Sequence, residues 1–281
     1  MKKIGFVDYY IDEWHANNYP AWIENANKKL GLDFEFCYVW AELEKSPNTG
    51  VSTSEWCEKM GVTECASIDE LCEKCDAIFI LAPTDPYKHL EYAKKVFKYG
   101  KPTYVDKTFA ENLDVAEQIK AEADKYKTPF FSTSALRYAE ELPLFDGAKN
   151  LFVSFGGRSL EEYVIHAIEI AVVNKNADVK RVKVENAGKM KSIHAETEHG
   201  SELLFAYSYA LPFVVCAEYD DRKGTSKKIE SSFFDVLIEK ILVFFESAVP
   251  PFEFEETVSA MKFRDLVLAA DKKSGEWVYG E

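Results

Sequence analysis

Apolar positions in the first half of the chain alternate between two rhythms. "KKIGFVD" is a compact apolar run and predicts a strand. "PAWIENANKKLG" carries Trp22, Ile23, Ala26 and Leu30 at helical spacing, with Pro20 near its first position and Gly31 as its stop. "DFEFCYVW" predicts a second strand. "STSEWCEKMG" predicts a short helix with a capping-box spacing from Ser52 to Glu55, and "SIDELCEK" another opened by Ser67. "DAIFILAP" is apolar without alternation, as in a strand buried on both faces. Then follow "PYKHLEYAKKVFKYG" as helix, "KPTYVDK" as strand, "ENLDVAEQIKAEADKYK" as helix and "TPFFSTSA" as strand. Strands alternating with helices in this way predict a doubly wound parallel sheet, with "VDYY", "WAE", "APTD", "VDKT" and "STSA" along its carboxyl rim, where ligands sit.

The second half changes pattern. A helix over "GGRSLEEYVIHAIEIAVV" precedes four alternating runs, "VKRVKVENA", "MKSIHAETE", "SELLFAYSYA" and "PFVVCAEYDD". These predict an antiparallel sheet with one covered face. Two helices, "SSFFDVLIEKILVFFESA" and "FEETVSAMKFRDLVLAADKKSG", and a short strand "EWVYG" close the chain. The expected class is α/β followed by α+β, with domains at 1–133 and 134–281.

Composition narrows the function classes. The 281 residues carry a net charge of −14, which repels nucleic-acid phosphates and anionic membrane surfaces. No apolar run reaches membrane-spanning length. "MKKIGFVDYY" lacks the apolar core of a signal peptide, so a cytoplasmic protein acting on a small molecule is expected. The six cysteines are then expected to be reduced. "CEKC" lies at a helix end rather than a helix start, which favours ordinary thiols over a redox or metal role for Cys72 and Cys75. Metal readings of His194, Glu196 and Glu198, or of Asp8, Asp12 and His15, are weaker than solvated strand and loop faces, and no metal is expected.

The run "SIDELCEKCDAIFILAPTDPYKHLEYAKKVFKYGKPTYVDKTFAENLDVAEQI" resembles the core of the Gfo/Idh/MocA oxidoreductases, the glucose–fructose oxidoreductase and inositol dehydrogenase superfamily. Asp76, Ala82-Pro83, His89, Gly100-Lys101 and Asp106-Lys107-Thr108 stand at its characteristic places. The closing helices, with Glu255 or Glu256 and the turn before the last strand, are similar as well. The resemblance implies a Rossmann-type first domain, NAD or NADP as cofactor, a polyol or sugar-like substrate, and a homo-oligomer formed through the second-domain sheet. It also implies Lys107 and His166 as catalytic residues, supported by Glu162 one helical turn before the histidine. A histidine titrates near neutrality and suits the hydroxyl proton, and a lysine at a strand end stabilises developing charge on the same oxygen. Asp8, Tyr9, Tyr10, Pro83, Thr84, Asp106 and Lys107 would border the cofactor. Glu42 would take the ribose and so favour NAD over NADP. Arg137, Tyr138 and His15 are the candidates for substrate contact.

One stretch departs from this scheme. The motif G-x-G-x-x-G is absent, and no glycine occurs from Phe6 to Leu30. The sequence there is "VDYYIDEWHANNYP". A pyrophosphate is accommodated only if Asp8 and Glu13 turn outward, in a loop of about a dozen residues before a helix at Pro20, or a shorter one if Asp12 caps an earlier helix. Otherwise Asp8, Tyr10 and His15 shape a different ligand site in a binding or sensing protein. Thr108 in place of the family's proline, and Ala82 in place of threonine before Pro83, are milder departures.

Overall fold

The computed structural model describes residues 1–175 and 177–280 and divides the chain into two compact units. The first comprises Met1–Thr133 and Phe234–Glu253, the second Ser134–Phe233 and Phe254–Glu281. The second unit is therefore not the continuous 134–281 of the sequence reading. A helix late in the chain returns to the first unit because its aromatic face finds its apolar partners there.

In the first unit the strands are β1 (Lys2–Asp8), β2 (Phe34–Ala41), β3 (Thr63–Glu64), β4 (Ala77–Ile80), β5 (Thr103–Val105) and β6 (Phe130–Phe131). Among the described residues they form a parallel sheet of order β3-β2-β1-β4-β5-β6. The helices between them are α1 (Trp14–Leu30), α2 (Thr53–Met60), α3 (Ile68–Lys74), α4 (His89–Val96) and α5 (Leu113–Tyr126). Local signals set most of these ends. Ser52 and Glu55 close a reciprocal capping box on α2, and Ser67 caps α3 through the Glu70 amide. Gly31, at φ 66°, ends α1 in the left-handed conformation that suits glycine. Gly5 lies inside β1 because a Cβ there would meet Cys75 Sγ at 2.7 Å; the strand passes too close to α3 for any side chain. The short strand β3 has no hydrophobic pattern of its own and escapes sequence reading.

α1 begins at Trp14, six residues before Pro20, so the loop after β1 is only five residues long, Tyr9 to Glu13. Pro20 sits inside the helix. There it lacks the amide that would bond back to Ala16, a cost the packing of the helix overrides. Tyr19, Ile23 and Ala26 are buried on its inner face.

The second unit holds β7 (Asn150–Phe155), α6 (Leu160–Val173), β8 (Val179–Ala187), β9 (Met190–Thr197), β10 (Glu202–Tyr207), β11 (Val214–Glu218) and β12 (Thr225–Lys228). After α7 (Phe233–Ser247), the returning helix, it closes with α8 (Phe254–Asp271) and β13 (Trp277–Tyr279). The sheet order is β12-β11-β7-β10-β9-β8-β13, antiparallel except for the parallel pair β7 and β10. β7 and β12 were absent from the sequence expectation, yet β7 lies inside the sheet. Val153, Phe155, Ile168, Val182, Ile193, Phe205, Phe263 and Val267 form the core between the sheet and the helices α6 and α8.

In the first unit α7 sets Phe245 against Phe79 at 5.1 Å and Phe34 at 6.2 Å, and Phe244 against Phe131 at 5.0 Å. Phe234 stacks on Trp22 at 5.2 Å. Such rings bring large buried area and favourable edge contacts, which explains why the helix packs here. No described helix is long and apolar enough to cross a membrane.

Candidate functional site

The carboxyl rim of the parallel sheet gathers charged groups. β1 ends at Asp8, which is 1% exposed. Its Oδ1 accepts from the amides of Tyr9 at 2.7 Å and Ala82 at 3.0 Å, and its Oδ2 has no hydrogen-bond partner. Burial, with the nearby Glu13 charge, pushes the Asp8 carboxyl well above its ordinary range, against the pull of the two amides. Ala82 holds a positive φ of 54° at this contact.

Glu13 and His15 turn inward, at 9% and 6% exposure. Glu13 is the N-cap of α1: its carboxylate accepts from the amide of His15 at 2.8 Å and from the amide of Ala16. Burial raises its carboxyl, offset in part by the His15 charge and these amides. His15 Nδ1 meets Asp106 Oδ2, and the ring stacks on Tyr19 at 5.2 Å. Asp106, 1% exposed at the end of β5, also accepts from the Lys107 amide at 2.9 Å and the Tyr104 hydroxyl at 3.3 Å. Burial alone would raise its carboxyl, but His15 and Lys107 hold it below the usual value. Asp8 and Glu13 are therefore not turned outward. Three carboxylates and one imidazole share the interior of the turn, because Asp106 and the α1 amides supply partners that solvent would otherwise provide.

Lys107 is half-buried, and its Nζ lies 3.3 Å from the Pro83 carbonyl. The Lys107–Thr108 peptide is cis. Thr84 bonds Asp85 at 2.7 Å. His89 sits fully buried, with Nδ1 2.9 Å from the Phe109 carbonyl and Nε2 2.6 Å from that of Leu81, so it ties the end of β4 to the segment after Lys107. At the end of β2 the Glu42 carboxylate is held by Lys88 and by the Tyr92 hydroxyl, and the Lys88 ammonium lies 5.1 Å from the centre of the Tyr9 ring. Tyr10 is buried, and its hydroxyl accepts from Asn48 at 2.9 Å.

The remaining candidates lie in the second unit. His166, on α6, has Nδ1 2.6 Å from the Ser134 hydroxyl and lies edge-on to Tyr163 and Phe213. Glu162 does not serve it as expected, because Arg158, four residues earlier, takes the carboxylate through bonds of 2.8–3.0 Å. Arg158 stands just before the N-cap Ser159, outside α6, and its guanidinium takes both Glu162 oxygens. Arg137 donates to Glu169 at 2.8 Å and Glu256 at 2.6 Å, and the Tyr138 hydroxyl is buried without a hydrogen-bond partner. The metal candidates carry other partners: His194 pairs with Glu202 and Glu196 with Arg181. Among the described residues no group of three or more His, Cys, Asp or Glu could hold a metal ion. All six cysteines are free, and burial pushes Cys57 and Cys72 up to about 12, where a thiol is inert at neutral pH. The cap made by Glu13 and the hold of Ser134 on His166 were not foreseen. Glutamate is not a favoured N-cap residue, so only the fold reveals the first.

The first unit holds a six-stranded parallel sheet of Rossmann type, and the second a mostly antiparallel sheet carrying two helices, an α/β class of fold. Residues 37–133 match the family model described as "oxidoreductase family, NAD-binding Rossmann fold" (Gfo/Idh/MocA), a span that contains the run in which the resemblance was read. Solved structures extend the likeness of fold to the whole chain. GenD2 from gentamicin A biosynthesis, solved in complex with NAD, has a TM-score of 0.80 at 11% identity, covering 100% of this chain and 97% of its own. UDP-N-acetylglucosamine 3-dehydrogenase GnnA from Acidithiobacillus ferrooxidans has 0.76 at 12%, covering 96% and 97%. A myo-inositol dehydrogenase from Corynebacterium glutamicum ATCC 13032 has 0.75 at 12%, covering 99% and 98%. Among curated proteins no match was found.

Proposed function

We propose that this protein is an oxidoreductase-type enzyme acting on a hydroxyl of a small polyol or sugar-like substrate. The observation that carries the reading is Lys107. It stands at the tip of β5, inside the segment that matches the oxidoreductase family. One described hydrogen bond, to the Pro83 carbonyl, uses one of the three donors of its ammonium. The others are available to a substrate oxygen, where a cation stabilises developing negative charge. Within the second unit, His166, with its Nδ1 beside the Ser134 hydroxyl, is a candidate acid–base group in its own right. Two extensions go with this reading: a cytoplasmic setting, in line with six free cysteines, and self-association through the open face of the second sheet, where Leu204 is 43% exposed.

NAD or NADP is the cofactor that the family match implies. The residues after β1 do not fit its pyrophosphate: the α1 amides of His15 and Ala16 are taken by Glu13, and Asp8 lies buried beside them. No step is therefore derived through it. The same observation favours a second reading, a binding or sensing protein without hydride chemistry. A panel of polyols and sugars, incubated with and without NAD and NADP and followed by mass spectrometry of the products, separates the two. Product formation that Lys107→Ala abolishes supports the enzyme. Thermal stabilisation by a panel member without product supports the binding protein.

A further inference from the structure

We infer that Glu13 is a built-in substitute for the dinucleotide pyrophosphate, so that this chain holds no dinucleotide at the start of α1.

In a Rossmann unit the first helix offers its free amides and the positive end of its dipole to a phosphate, and glycines let the backbone come close. Here those amides are already satisfied. The Glu13 carboxylate accepts from both His15 and Ala16, carrying into the turn the negative charge that a phosphate would bring. A pyrophosphate would have to displace a buried carboxylate, and would then face Asp8 and Asp106, each 1% exposed.

The loop that delivers Glu13 is also anchored. Asp12 accepts from Thr49 at 2.6 Å, from Asn17 at 2.8 Å and, through its carbonyl, from Ser46 at 3.1 Å. Asn17 in turn accepts from the Trp56 indole at 2.8 Å. Opening the turn would break these bonds together with the His15–Asp106 pair. The adenosine end is filled in the same way. Glu42, the acid that would take ribose hydroxyls, is held by Lys88 and Tyr92, and the Tyr9 carbonyl is bonded to the Leu43 amide at 2.8 Å. The places where a dinucleotide would meet this half of the sheet are thus filled by the chain itself.

The inference stands apart from the role given to Lys107: it is lost if NADH binds, whereas that role is lost if Lys107→Ala leaves product formation unchanged. The full-length protein is titrated with NADH, following nicotinamide fluorescence, with ADP-ribose as competitor. The expected result is no saturable signal up to millimolar NADH. Micromolar binding that ADP-ribose displaces would overturn the inference. Glu13→Ser tests the attribution, because serine still caps a helix but withdraws the charge and the bulk. A folded Glu13→Ser protein is expected to bind ADP-ribose at least about tenfold more tightly than the wild type, about 1.4 kcal/mol. If the variant melts cooperatively and its affinity is unchanged, Glu13 is not what fills the site. Should Glu13→Ser fail to fold, Glu13→Gln, which removes the charge and keeps one acceptor for the α1 amides, is titrated under the same criterion.

Discussion

Replacing His15 by leucine tests whether the rim is held together by its buried charges. The ring contributes the partner of Asp106 and a stacked contact with Tyr19. Leucine roughly fills the volume but leaves Asp106 with only the Lys107 amide and the Tyr104 hydroxyl as described donors. Removing one member of a buried pair costs about 3–5 kcal/mol. An independent ceiling follows from protonation. Asp106 can escape its isolation by taking up a proton, and from an ordinary value of 3.8 this costs about 4.4 kcal/mol at pH 7, at 1.36 kcal/mol per unit. The two figures agree. For a unit of this size, a loss of 3–4.4 kcal/mol lowers the melting temperature by roughly 6–18 °C. The sign with pH is equally definite. The folded value of Asp106 lies below 3.8, so its ionised form stabilises the fold above that value, and the contribution is lost as pH falls through the folded one. The protonation ceiling drops to about 1.6 kcal/mol at pH 5, so the deficit of the variant shrinks on acidification. Circular-dichroism melts of wild type and His15→Leu between pH 5 and pH 8 read this directly, and Asp106→Asn in the His15→Leu background should recover most of the loss. A variant melting within about 2 °C of wild type at pH 7, or a deficit that grows as pH falls, would refute the reasoning.

Other outcomes follow from the same rim. Lys107→Ala is expected to lower product formation by about 10²–10³-fold with little change in melting, as measured by steady-state assay and melt on the same preparation. Ala82, at φ 54°, occupies a conformation that costs a non-glycine residue about 1–2 kcal/mol. Ala82→Gly should be neutral or slightly stabilising in urea titration, whereas Ala82→Thr should destabilise by more than about 1 kcal/mol, since β-branched residues fit this region poorly. The folded value of Asp8 lies above 3.8, so the stability tied to its protonated form is full below 3.8 and drains away as pH rises through the folded value. Asp8→Asn, a neutral isostere, should therefore lose less stability than wild type as pH rises above 3.8, and an unchanged pH dependence would contradict the assignment.

Much of this protein was legible before any fold was known. The 3.6-residue spacing of α2 through α5, the cap at Ser52 and the stop at Gly31 are set by neighbours within a turn or two of chain, and they emerged where expected, whereas α1 starts six residues before Pro20. The order of strand-end residues around Pro83 and Lys107 pointed to the family that residues 37–133 match. The tertiary structure decided what depends on partners remote in sequence. The five-residue turn draws Glu13 and His15 inward because Asp106, 91 positions after His15, awaits them at the end of another strand. α7 returns to the first unit because Phe34, Phe79 and Phe131 offer its aromatic face a place to pack. Glu162 is lost to His166 because Arg158 competes for it. A charged residue in a short loop carries no periodic signature of its destination. Burial depends on which compensating charges and donors the finished fold brings within a few ångströms, and in this protein that decides whether the turn after β1 receives a phosphate or fills itself.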